Sequence, residues 1–185
     1  MDSIKRAAVL ADLTQRLEQQ GSWCGETHIQ KATYLAQALA GIPTGFEFIL
    51  YKHGPFSFDL SDELDVLQAQ EILASVPQRM PYGPRIRTTE VGRKLRDCFP
   101  RMVGELDGRL ALVAGVVRDR GATDLERLAT ALLVSLEPAA GRSVGAKAAR
   151  LRELNPHVGE AEARAAVEEI ETLQGRAAGM AEVGA

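Results

Sequence analysis

Cysteine, histidine and aromatic residues are scarce in this chain of 185 residues: it has two cysteines and three histidines, and 5% of it is aromatic. Cys24 and Cys98 follow neither a CxxC nor a metal-ligand spacing and read as reduced thiols. His28, His53 and His157 are too scattered to suggest a zinc set. The chain has no phosphate-binding loop, no HExxH and no nucleophile elbow, so no metal, no cofactor and no catalytic residue is expected. The longest apolar run, residues 110–117, falls far short of the roughly 20 residues that span a bilayer. Met1-Asp2-Ser3-Ile4-Lys5 lacks the apolar centre of a signal peptide, so the expected place is the cytoplasm, with no membrane partner. A net charge of −3 and a pI near 5.7 give no overall pull toward nucleic acid, so any such binding needs a local patch.

Alanine and leucine are plentiful, and helical periodicity dominates. Ser3 is positioned to cap a first helix ending at Gly21. A second runs from about Glu26 to Leu39, and Gly41 and Pro43 end it. The central stretch, Gly45 to Thr89, has a different rhythm. Phe46 to Tyr51 reads as a strand with apolar groups on both faces, and therefore covered on both sides. His53-Gly54-Pro55-Phe56 reads as a sharp corner that buries Phe56 beneath a wing, and Ser57 as the cap of a short helix carrying Leu60, Leu64 and Leu67. Ile72-Leu73 and Arg85 to Thr88 read as the two strands of a hairpin, with Pro77, Pro81, Gly83 and Pro84 between them and a helix starting at Thr89-Glu90. Helix, hairpin, helix is the layout of a winged helix. The expected fold is mainly α (α+β): a winged-helix-like domain over 1–100 with a small β-hairpin wing, a helical region over 101–174 and a flexible tail over 175–185.

In the helical region, Gly104, Gly108, Ala111 and Gly115 share one face of a helix over 101–120, which suggests close approach of another helix, within the chain or across a dimer. Thr123-Asp124-Leu125-Glu126 has the pattern of a capping box. A basic helix with Arg142, Lys147, Arg150 and Arg152 precedes an acidic one over Glu160 to Leu173, and the two are expected to pair.

His28-Ile29-Gln30-Lys31-Ala32-Thr33-Tyr34-Leu35-Ala36-Gln37, then Tyr51-Lys52-His53-Gly54-Pro55-Phe56-Ser57, the leucines 60, 64 and 67, and Thr89-Glu90-Val91-Gly92 together resemble the bacterial YwgA-like proteins. More distantly they resemble the Panacea (SocA-like antitoxin) domain. The resemblance runs roughly over 5–173, and Leu151 to Pro156 resembles the C-terminal end of YwgA-like chains. It implies Tyr51, His53, Gly54, Pro55 and Phe56 as structural motif positions. It implies no assigned activity for the YwgA group and, for the Panacea relatives, antitoxin action by contact with a toxin protein.

In a winged helix the helix before the wing is the one that enters the major groove. Here that helix carries Asp59, Asp62, Glu63 and Asp65, with no lysine or arginine from Phe56 to Val76, and would repel phosphate. These four acids are the candidate partner-binding residues. The wing and the helix after it are basic. Arg79, Arg85, Arg87, Arg93 and Lys94 are the candidate nucleic-acid contacts, with Arg96 and Arg101 nearby, unless these cations pair with the acidic helix or are solvated. Of the catalytic readings, Cys24 and His28 as a nucleophile pair straddle a helix boundary and lack a third orienting group, and in an acid–base set of Tyr51, His53 and Asp59 the histidine reads more simply as a turn residue bonded to backbone. The expected function is a non-catalytic winged-helix regulatory or interaction module whose partner is another protein or a second copy. The alternative is a DNA-binding regulator acting through its wing.

Overall fold

Asp2 starts the first helix: its carboxylate accepts from the Lys5 backbone N–H at 2.9 Å, so the cap falls one residue before Ser3. The computed structural model describes residues 1–80 and 83–183. Helix α1 (Ser3–Gln19) buries Leu10, Leu13 and Leu17, and α2 (Glu26–Ala38) opens at Gly25 and buries Ile29, Ala32 and Leu35.

The strand expected from Phe46 starts three residues later. The Gln37 side chain takes both backbone groups of Phe46, donating to its carbonyl at 2.9 Å and accepting from its N–H at 3.0 Å, which withdraws that residue from any ladder. What remains is a short hairpin, β1 (Ile49–Tyr51) with β2 (Gly54–Phe56), in which Ile49 faces Phe56, Leu50 faces Pro55 and Tyr51 faces Gly54. The expected cover on both faces of this strand is absent: Ile49, Leu50 and Tyr51 are 44%, 43% and 44% exposed.

Ser57 caps α3 (Phe58–Ala69), accepting from Leu60 N–H at 3.2 Å, and the helix buries Leu60, Leu64 and Leu67, each worth roughly 1.5–3 kcal/mol. The wing follows. β3 (Leu73–Val76) pairs antiparallel with β4 (Arg85–Thr88), from Leu73 opposite Thr88 to Val76 opposite Arg85. Pro81, placed by the sequence in the loop between them, lies outside the described residues. Thr89 caps α4 (Glu90–Asp97) through Gly92 N–H. A Cβ on Gly92 would stand 2.4 Å from the Ile72 carbonyl oxygen, so only glycine lets α4 lie this close to the start of the wing.

Pro100 occupies the first turn of α5 (Pro100–Val117), where its missing N–H costs nothing. Its glycine face meets no other helix of the chain among the described residues. Gly104, Gly108, Ala111 and Gly115 are exposed, and no atom of another element stands within 4 Å of a Cβ built on any of the three glycines. The buried face is instead Leu106, Leu110, Val113 and Val117. Helix α6 (Ala122–Leu136) has Gly121 as its N-cap, two residues earlier than a capping box at Thr123 requires, and no side chain caps it. Ser143 caps α7 (Val144–Leu154), and α8 (Glu160–Val183) continues past Leu173, where the sequence reading ends it. The basic and acidic helices do pair: Lys147 Nζ lies 2.7 Å from Glu171 and Arg152 3.8 Å from Glu160.

The fold is therefore mainly α, with eight α-helices and two small antiparallel hairpins among the described residues, the second hairpin being the wing. One core extends from Leu13 of α1 through Leu35 of α2 and Leu132 of α6 to Ile170 of α8. No helix among the described residues is long and apolar enough to cross a membrane.

Candidate partner-binding surface

Helix α3 turns its leucines inward, so 3.6-residue periodicity puts its acids outside. Asp59, Asp62 and Asp65 are exposed and form no ion pair among the described residues. Glu63 differs from the other three: half-buried, it pairs with Arg6 at 2.9 Å, and Arg6 in turn sits over the Phe46 ring at 4.9 Å. It fastens α3 to α1 and is not available in the way its neighbours are. Phe58 and Val66 are exposed at 52% and 49% and lie four residues to either side of Asp62, so the outer face of α3 is a mixture of acid and apolar groups.

Phe58 joins this helix to the hairpin. Its ring lies 5.4 Å from that of Tyr51 and 5.1 Å from that of Phe56, while Tyr51 and Phe56 are 5.8 Å apart. Phe56 is thus half-buried in an aromatic trio at the surface and not buried beneath the wing. The corner residue behaves as its position demands: Gly54 has φ +82°, and a Cβ there would stand 2.6 Å from Thr130 Oγ1 of α6. His53 at the tip is exposed and faces Glu126 at 3.5 Å. Behind the hairpin, the Lys31 ammonium donates to the Pro55 carbonyl at 2.8 Å, and the Gln30 side chain donates to the Ser57 carbonyl at 2.9 Å and accepts from its N–H at 3.1 Å. Burial pulls the Lys31 pKa down to about 8, with Glu126 opposing.

The wing cations are mostly engaged within the fold, and not by α3. Arg85 donates to the carbonyls of Trp23 and Ser22 at 3.0 and 3.1 Å and stacks on Trp23. Arg87 pairs with Glu18 of α1 at 3.3 Å, Arg93 pairs with Glu90 and donates to Thr88 O, and Arg96 donates to Gln15 and pairs with Asp97. Arg101 pairs with Glu105 one turn on. Arg79 and Lys94 are exposed and form no ion pair among the described residues.

The residues considered for catalysis are not brought together by any bond. Cys24 is fully buried with its thiol 3.8 Å from Thr14 O, and burial pushes its pKa up to about 12. His28 is buried with Nε2 donating to Arg120 O at 3.2 Å, and burial lowers its pKa. Tyr51, His53 and Asp59 share no hydrogen bond among the described residues; Tyr51 packs on rings and His53 faces Glu126. Among the described residues no cluster of three or more His, Cys, Asp or Glu side chains could hold a metal ion.

Three features escape a reading of the sequence. Lys31 and Gln30 stand within a helix, and nothing in their spacing signals that both reach across to the hairpin. A cavity of about 730 Å³, lined in part by His28, Asp65, Pro84, Ile86 and Arg120, opens between the starts of α2 and α6, the end of α3 and the wing. The aromatic trio could be anticipated only from the density of aromatics between residues 46 and 58. Comparison with known proteins gave no match, either to a family model or to a curated sequence.

Proposed function

We propose that this chain is a non-catalytic interaction module of winged-helix type that binds a protein partner through the outer face of α3 and the hairpin beside it. One observation carries the reading: Asp59, Asp62 and Asp65 are exposed, with no ion pair among the described residues, on the helix that a DNA-binding winged helix would insert into the groove, next to three clustered aromatic rings. Aromatic groups supply contact area at small conformational cost, and the acids supply steering and choice of partner. The resemblance to YwgA-like and Panacea antitoxin proteins supports the same reading, with a toxin-like protein as partner. The free thiols Cys24 and Cys98 are in keeping with a reducing bacterial cytoplasm.

The alternative, a DNA-binding regulator that acts through its wing, draws support from Arg79 and Lys94, which are exposed and form no ion pair among the described residues. Arg85, Arg87, Arg93 and Arg96 have partners within the fold, and a phosphate would have to compete with them. The test is affinity purification of the wild type beside Asp59→Lys/Asp62→Lys, followed by identification of retained proteins and by titration with duplex DNA. The expected result is a protein held by the wild type and released by the double reversal. Retention of DNA with no such protein would overturn the reading.

A further inference from the structure

The two edges of the first hairpin differ. On the β2 side, Pro55 O is taken by Lys31, and both backbone groups of Ser57 are taken by Gln30, so α2 seals that edge. In an antiparallel pair, successive residues direct their N–H and C=O alternately toward the partner strand and away from it. The Pro55 carbonyl points away, to α2, and Leu50 stands opposite Pro55. The N–H and C=O of Leu50 therefore point away on the other side, along the outer edge of β1. Natural sheets protect such edges with lysine, proline or a bulge. Here the edge presents Ile49, Leu50 and Tyr51, three consecutive apolar residues each more than two-fifths exposed.

The chemistry around this edge indicates what would cover it. Exposed Glu47 precedes it, and Asp59 and Asp62 follow Phe58, whose ring packs on Tyr51; none of these three acids has an ion pair among the described residues, and against them stands one exposed lysine, Lys52, over the Tyr51 ring at 5.8 Å. A second copy would bring the same acids to the same edge. We propose that the outer edge of β1 takes an extended segment of a partner protein as a third strand, with apolar residues alternating with lysine or arginine. The backbone of that segment bonds the free groups of Leu50, its apolar side chains cover Ile49, Leu50 and Tyr51, and its cations reach Glu47, Asp59 and Asp62. This rests on the interaction reading above and specifies the form of the partner.

The experiment is selection of a random-peptide display library on the immobilised full chain. An enriched peptide is then synthesised and titrated by fluorescence anisotropy against the wild type, Leu50→Pro and Asp59→Lys/Asp62→Lys. A version of the peptide N-methylated at alternate backbone nitrogens is titrated in parallel. The expected consensus alternates basic with apolar residues. Affinity is expected to fall by roughly tenfold or more for each protein variant and for the N-methylated peptide, the last of which leaves the protein untouched. Peptides that bind at the acids but tolerate N-methylation would overturn strand addition and leave the interaction reading standing. No enriched peptide, or an acidic consensus, would overturn both. A dimeric wild type that Leu50→Pro converts to a monomer would assign the edge to a second copy and overturn the proposal.

Discussion

Lys31, a residue only 2% exposed, donates from its ammonium to the Pro55 carbonyl at 2.8 Å, so a buried charge on α2 holds the strand that precedes the acidic helix. Beside it Gln30 holds Ser57, which itself caps α3. Two adjacent side chains of α2 thus fix both the sealed edge of the hairpin and the start of the helix whose outer face is the proposed contact.

Lys31 gives stability a defined dependence on pH. Its pKa in the folded chain, about 8, lies below the ordinary 10.5, so between these values the unfolded chain binds more protons. Stability from this group therefore rises as pH increases from about 8 to 10.5, by on the order of 1–3 kcal/mol. Melting temperatures of the wild type and Lys31→Met, measured from pH 7 to 10.5, are expected to diverge in favour of the wild type as pH rises. A constant difference would show that the charge is not desolvated as described.

At Gly54 two costs combine, a positive φ and a collision with Thr130. Gly54→Ala is expected to destabilise the chain by about 2 kcal/mol or more. Gly54→Ala/Thr130→Ala is expected to recover part of that loss, since it removes the collision and leaves the backbone strain. A thermal melt of the three variants decides the matter. No loss in the single variant would contradict the corner geometry.

The exposed glycine face of α5 leads to the opposite expectation. With nothing near its Cβ position, Gly108→Ala should stabilise the helix by about 0.5–1 kcal/mol. A fall in melting temperature, or a change in mass by light scattering, would show that another molecule covers this face.

Helical periodicity located the leucines of α3, Ser57 declared itself as a cap, and the turn residues around 77–84 marked the wing. Spacing alone did not disclose which polar groups satisfy which backbone atoms at long range. Gln37 shortens β1 by bonding Phe46, and Arg85 reaches carbonyls 62 and 63 residues away; neither leaves a periodic trace. Close approach of another helix of the same chain to the α5 glycines fails for a related reason. Small residues on one face permit close approach but do not require it, and only the position of the other helices decides.

Among the wing cations, the roles separate by what each holds. Arg85→Glu is expected to lower the melting temperature markedly, because it frees the Ser22 and Trp23 carbonyls and places an acid beside them. Arg79→Glu and Lys94→Glu, at exposed positions with no ion pair among the described residues, should change stability by less than about 0.5 kcal/mol. Equal effects at all three positions would contradict the division drawn here.

The most direct measurement is a titration of the wild-type chain with a labelled DNA duplex at about 50 mM and about 200 mM salt, a range over which phosphate-dependent binding collapses. Engagement of Arg85 and Arg87 within the fold and the acids of α3 together predict no sub-micromolar affinity and no steep salt dependence. Tight binding at the lower salt that falls by orders of magnitude at the higher, and that Arg79→Glu/Lys94→Glu abolishes, would contradict a protein-binding role for this surface.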